Sequence, residues 1–223
     1  MNKKATKDTA SKVGSFIEKN RIIIITVFIV VLITLITIII ATSVSKSIRK
    51  SGLEKLDTLT VELAQAQKDQ EIDAIIVQDI LMRAKDLANS SHGTVAARAH
   101  MFAAEISFRD KNWECAKESW LQAAHATDAY TAPLCFYNAA ICAEEMGDNE
   151  SAIENYAAAI SYESFALAPR AYFNMGRIHE QQGNYTNAIE TYTRLVDAFA
   201  SNDWANLAKS RIIALKVERK NAK

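Results

Sequence analysis

Four histidines, three cysteines and one acidic run are the residues whose chemistry could build a reactive centre in this chain. His92, His100, His125 and His179 are scattered, and no two have the His-x3-His spacing that turns a pair of imidazoles toward one metal. Glu144, Glu145 and Asp148 could supply a general acid and base, but they cluster at the end of a predicted helix, the pattern of a solvated face. Cys135 and Cys142 are seven apart on one predicted helix, about 10.5 Å between Cα atoms and too far for a disulfide, whereas Cys115 could approach Cys135 from a neighbouring helix. All three fit as small core residues. No Gly-rich phosphate loop or nucleophile elbow occurs. The expectation is a protein without catalytic residues, metal or cofactor, and not an enzyme.

The elements that carry these residues are helical. Six Gly and two Pro in 223 residues leave too little turn chemistry for a sandwich, a barrel or a doubly wound sheet. Formal charge sums to zero, with 26 basic and 26 acidic side chains, but the two signs are segregated. Residues 1–55 hold ten basic and three acidic groups, residues 56–95 three and seven, residues 96–215 nine and fifteen, and the tail from Lys216 four and one. A basic front end thus precedes an acidic body, which argues against nucleic acid as the main ligand because phosphate binding needs a clustered positive face.

The front end contains nineteen uncharged residues, Ile22 to Ile40, ten of them Ile. With Ala41 this run spans about 30 Å as a helix, the thickness of a bilayer's hydrocarbon core. Ile would favour a strand in water, but in hydrocarbon a single segment satisfies its backbone only as a helix, and Thr26, Thr34 and Thr37 can bond back to the preceding turn. The run is too long for a cleaved signal peptide, and Ala41-Thr42-Ser43 is a poor cleavage site. Lys3, Lys4, Lys7, Lys12, Lys19 and Arg21 outnumber Lys46, Arg49, Lys50 and Lys55, so the positive-inside rule puts the amino end in the cytoplasm and the rest outside it.

Beyond the anchor, Leu53, Leu56 and Leu63, then Ile72, Ile75, Ile76, Ile80, Leu81 and Leu87, recur at helical spacing and predict two helices broken near Asp69 to Asp73. Asn89 to Thr94, with Gly93, ends the second. Residues 97–128, 133–164 and 169–200 then superimpose at a spacing of 36. Small residues coincide at Ala104, Ala140 and Gly176 and at Ala116, Ala152 and Ala188, and aromatics at Trp120, Tyr156 and Tyr192. Turn residues coincide at Lys111-Asn112, Gly147-Asp148 and Gly183-Asn184. Small residues where two antiparallel helices meet, with an aromatic beside them, are the packing rule of a helical-hairpin solenoid.

On these positions the chain resembles the tetratricopeptide repeat (TPR) family, best in Tyr172-Phe173-Asn174-Met175-Gly176 through Gly183-Asn184-Tyr185, Ala188 and Tyr192. The first copy departs at His100, where a large apolar residue is usual, and at Lys111, which replaces the turn Gly; the period exceeds the family's 34, implying longer turns between hairpins. The expected fold is all-α: a basic tail (1–21), a transmembrane anchor (22–41), a linker helix and degenerate leading hairpin (42–95), three TPR hairpins (96–200), and a capping helix with Trp204, Leu207, Ile212 and Leu215 before a basic end (201–223).

The resemblance implies a groove lined by the first helix of each hairpin: Arg98, Met101, Glu105, Phe108 and Arg109; Leu134, Tyr137, Ile141, Glu144 and Glu145; Arg170, Phe173, Arg177, Glu180 and Gln181. Apolar Met101, Tyr137, Ile141 and Phe173 down the middle, with Arg and Glu at the margins, would suit an extended or helical peptide. The family's carboxylate clamp for chaperone tails does not match. The order of parts is similar to that of the ancillary subunit of the bacterial Sec translocon, which implies a bacterial inner membrane, a periplasmic repeat domain, and a translocon or periplasmic chaperone as partner. The expected function is a membrane-tethered adaptor for envelope proteins in export or assembly. The alternative is a self-associating scaffold, a homo-oligomer supported by Leu53, Leu56, Leu59 and Leu63.

Overall fold

In the computed structural model the backbone is described for residues 3–67, 74–126 and 130–221, and side chains within residues 18–218 of these segments. Among the described residues there are nine helices and no strand. They are α1 (Lys3–Ala66), α2 (Ala74–Ser90), α3 (Thr94–Arg109), α4 (Trp113–His125), α5 (Ala132–Glu145), α6 (Asn149–Ile160), α7 (Ala168–Gln181), α8 (Tyr185–Ala198) and α9 (Asp203–Asn221). The chain divides into two units, Met1–Ser51 and Gly52–Lys223.

The first unit is helical throughout its described part, and Ile22 to Ile40 expose their apolar side chains along the whole run. Thr26 donates its hydroxyl to the Ile22 carbonyl at 2.9 Å, Thr34 to Val31 at 2.7 Å and Thr37 to Thr34 at 2.8 Å. Every polar atom of the segment is thereby returned to its own backbone. The helix is long and apolar enough to cross a membrane.

In the second unit one turn is used three times. α3, α5 and α7 each end in a residue with positive φ, Lys111 at 57°, Gly147 at 74° and Gly183 at 73°. The next residue's N–H reaches back to the third-last helical carbonyl: Asn112 to Ser107, Asp148 to Ala143 and Asn184 to His179, all at 2.9 Å. This doubly bonded left-handed cap satisfies carbonyls that the helix end would leave open. The residue that completes the cap then starts the next helix, with the Asn112 and Asp148 side chains accepting from the N–H of Cys115 and Ser151. Three residues therefore suffice to reverse the chain within each hairpin.

Between hairpins the links are longer. Ser161–Leu167 joins α6 to α7, and its Phe165 is buried on Tyr137 with ring centroids 5.9 Å apart. The two residues by which the period exceeds 34 fit in these outer links, since the inner turns have none to spare. Pro133 and Pro169 sit in the first turns of α5 and α7, where a missing N–H costs nothing.

The core follows the repeat. Ala116, Ala152 and Ala188 are fully buried, and beside them lie Trp120, Tyr156 and Tyr192, at most 4% exposed. At Gly176 the approach is closest: an added Cβ would stand 2.4 Å from the Tyr192 ring. Toward the amino side, Leu59 and Leu63 of α1 pack with Val77, Ile80, Leu81 and Ala84 of α2 and with Ala103 and Ile106 of α3. Arg83 pairs with Glu62 at 2.6 Å across the α1–α2 pair. The volumes at the aligned α2 and α4 positions are exchanged, Ile80 and Ala84 standing where α4 has Ala116 and Trp120.

Several expectations change here. Leu56, Leu59 and Leu63 are buried inside the chain, so they are not free to drive self-association. Ile75 and Ile76 are exposed, and the buried stripe of α2 is Val77, Ile80, Leu81, Ala84 and Ala88, because the periodicity slips by one residue at the helix start. The break expected near Asp69 to Asp73 lies outside the described residues. In α9 Leu207 is 51% exposed, and the face that covers α8 is Ala205, Ala208 and Leu215 with Trp204 and Ile212.

Candidate functional site

The expected groove residues lie on α3, α5 and α7, and the structure sorts them into three groups. Arg98, Glu105 and Arg109 on α3, Leu134 and Glu145 on α5, and Arg170 and Gln181 on α7 are exposed. Met101, Phe108, Ile141, Glu144, Phe173, Arg177 and Glu180 are half-buried. Tyr137 is buried, 3% exposed, against Tyr156 at 5.4 Å and Phe165 at 5.9 Å between ring centroids.

The expected central apolar stripe therefore does not stand open. Tyr137 is core, and Phe173 packs on Tyr192 at 5.4 Å and on Trp204 at 5.1 Å, so α9 closes over the position it was expected to present. Met101 and Ile141 are half-spent against neighbouring clusters. Sequence spacing identifies the helix face but not which long side chains turn inward, because small Ala and Gly neighbours leave room that the aromatics then fill.

Two of the acidic groove residues hold the repeats together. Glu144 accepts from the Tyr156 hydroxyl and is paired with Arg177 of the next hairpin, while Asn174 donates to the Tyr156 oxygen at 2.9 Å. One period on, Glu180 accepts from the Tyr192 hydroxyl at 3.1 Å and is paired with Arg211 of α9. Each stitch joins the two helices of a hairpin and reaches the following element. Burial, then the neighbouring carboxylate, holds the Tyr156 and Tyr192 phenols well above their ordinary value, so both hydroxyls keep the proton they donate. The Glu144-Glu145-Asp148 run divides accordingly: Glu144 is in the stitch, Asp148 caps α6, and Glu145 faces solvent.

In the first hairpin the corresponding residues are Phe108, Trp120 and Ile141. With no carboxylate, the hairpin is held by apolar contact, and Phe108 stands edge-on to Trp113 at 4.9 Å. A cavity of about 230 Å³ opens at this place, lined by Glu105, Phe108, Arg109, Trp120 and Asn138. The sequence signal for it was present, as a Phe breaking a Glu series, but is visible only once the stitch is known.

The cysteines are all free; Cys135 and Cys142 are wholly buried, and burial pushes both thiols up to about 12. They are protonated, inert core residues. Among the described residues no group of His, Cys, Asp and Glu is placed to hold a metal ion.

Residues 137–203 match the tetratricopeptide repeat family. That match runs from α5 through α8, the second and third hairpins. A "TPR repeat-containing protein" of Treponema pallidum (strain Nichols) is 39% identical over 141 residues, which are 62% of this chain. The match spans 59% of that relative's length. Among solved structures, the TPR-like repeats of a Podosopora anserina protein described as a kinesin light chain superimpose with a TM-score of 0.52. That likeness covers 74% of this chain and 90% of the other at 12% identity, which speaks for the fold alone. TPR domains are generally non-catalytic, and the TPR fold points to protein partners.

Proposed function

We propose that this protein is a non-enzymatic adaptor, held at a membrane by the helix through Ile22 to Ala41, whose TPR domain binds a polypeptide partner. The observation that carries this reading is the pairing of an apolar run with no cover of its own and a TPR solenoid on one chain. In this reading the amino end is cytoplasmic, because the Lys and Arg excess lies before Ile22, and the acidic TPR domain stands on the outer side of a bacterial inner membrane. The partner is a component of protein export or envelope assembly, by similarity of domain order to the ancillary translocon subunit. Tethering raises the effective concentration of any partner embedded in the same membrane. The net charge of minus ten over residues 56–215 keeps the domain off anionic lipid.

Two in vivo measurements test it. A photo-crosslinker at exposed Leu134 or Arg170 traps a second polypeptide in intact cells, and one at Glu154 on α6 does not; adducts made only of this chain would transfer the case to the scaffold. A reporter fused after Lys223 is active outside the cytoplasm; activity confined to the cytoplasm would reverse the orientation.

A further inference from the structure

The groove carries a gap in its own pattern. In the second and third hairpins a carboxylate, Glu144 or Glu180, takes the hydrogen of the buried aromatic, Tyr156 or Tyr192. In the first hairpin the aromatic is Trp120, 4% exposed, and its Nε1 is buried without a hydrogen-bond partner. The aligned carboxylate is replaced by Phe108. A buried indole N–H left unpaired is costly, and few native donors are left so. The same cavity holds two more uncommitted polar groups. Asn138 corresponds to Asn174, which donates to Tyr156, but its own amide makes no hydrogen bond among the described residues. Arg109 is exposed and has no ion pair among the described residues.

We infer that this cavity is a subsite for one acidic side chain, Asp or Glu, of a polypeptide partner, which supplies in trans the carboxylate that the other two hairpins carry in cis. Three residues that line the cavity carry donors for such an acceptor, the Trp120 indole, the Asn138 amide and the Arg109 guanidinium, the last with charge complementarity. Glu105, exposed and lining the same cavity, is an acceptor for an N–H of the ligand backbone. Trp120 Nε1 is buried, so the incoming carboxylate reaches it by displacing the half-buried Phe108 ring, which lines the same cavity. The site rests on the adaptor reading, and specifies what that adaptor selects.

The test uses the full chain in detergent micelles and amino-acetylated, carboxyl-amidated random hexapeptide libraries with one fixed position, Asp/Glu in one set and Asn/Gln in the other. Amidation removes the chain-end carboxylate as a source. The expected result is retention of the acidic set over its amide counterpart by about tenfold or more, the range of a hydrogen bond to a charged group. Phe108→Glu, which gives the first hairpin the carboxylate of the others, brings the two sets to parity, as do Trp120→Phe, which keeps an aromatic ring but removes the donor, and exposed Arg109→Gln, which leaves the core untouched. Equal retention of both sets by the unaltered chain overturns the subsite and leaves the adaptor standing. A preference that survives in cooperatively melting Phe108→Glu, Trp120→Phe and Arg109→Gln chains overturns it as well, by placing the carboxylate elsewhere. Retention of neither set overturns the subsite together with the peptide-binding face.

Discussion

Replacing Gly176 by Ala sets two effects of known sign against each other. In a free helix the change stabilises by about 1 kcal/mol, the difference in helix propensity. In this fold the new Cβ stands 2.4, 2.6 and 2.9 Å from three atoms of the Tyr192 ring. That ring cannot swing aside without loss: it is 1% exposed, packed on Phe173, and fixed at its hydroxyl by Glu180, which also holds Arg211. Overpacking of this kind costs about 1–3 kcal/mol, so the net change is a destabilisation of roughly 1 kcal/mol. For a domain of this size that lowers the melting temperature by about 2–4 °C. The aligned position of the second hairpin gives the converse. Ala140 is fully buried, so Ala140→Gly loses helix propensity and a buried methyl together, about 2 kcal/mol. Urea melts of the two variants beside the parent chain, followed by far-ultraviolet circular dichroism, measure both numbers. A Gly176→Ala chain more stable than its parent would mean that the Tyr192 ring is free to move and that the stitch does not hold it.

Two further substitutions probe the departures of the first hairpin from the repeat. Lys111 holds a left-handed backbone at φ 57° that costs an L-residue about 1–2 kcal/mol, so Lys111→Gly raises stability by roughly 1 kcal/mol in the same melts; no change would place the strain elsewhere. His100 is buried, and desolvation holds its imidazole below the ordinary value against the opposing pull of Glu118. The folded chain therefore binds fewer protons than the unfolded one as pH falls below about 6.5, and stability drops in that window. His100→Leu removes this component, and the fall in melting temperature from pH 7.5 to 5.5 becomes shallower than in the parent; an identical slope would exclude His100 as a contributor.

Much of the fold was legible because its rules are local. The turn at Gly147-Asp148, the small residues at Ala152 and Ala188, and the prolines at the helix starts each follow from what a residue type permits at one backbone position. The direction of long side chains was not legible. Tyr137 and Phe173 occupy positions that spacing assigns to the open face, yet both turn inward because Ala140, Gly176 and the inter-hairpin link leave volume that only a ring fills. Leu207 and Ile75 err the other way: apolar residues at helical spacing, they stand exposed on the outer flank of α9 and in the first turn of α2.

The charged groove residues show why a face of repeats can be partly structural and partly open. A solenoid is stabilised only through nearest neighbours, so each hairpin must spend some groove-side groups on the next one. Glu144 and Glu180 are spent in this way, which removes two acids and two arginines from whatever a ligand could meet. Four uncommitted polar groups line one cavity beside the first hairpin, where the stitch is absent: Glu105, Arg109, Asn138 of α5 and the unpaired Trp120 indole. In the proposed subsite, specificity resides where the repeat is least regular, because there the buried aromatic's donor has no carboxylate in the same hairpin. A carboxylate at Phe108 therefore occupies the Trp120 indole from within the chain and weakens selection for an acidic ligand in one step, a coupling that a purely structural role for the first hairpin does not produce.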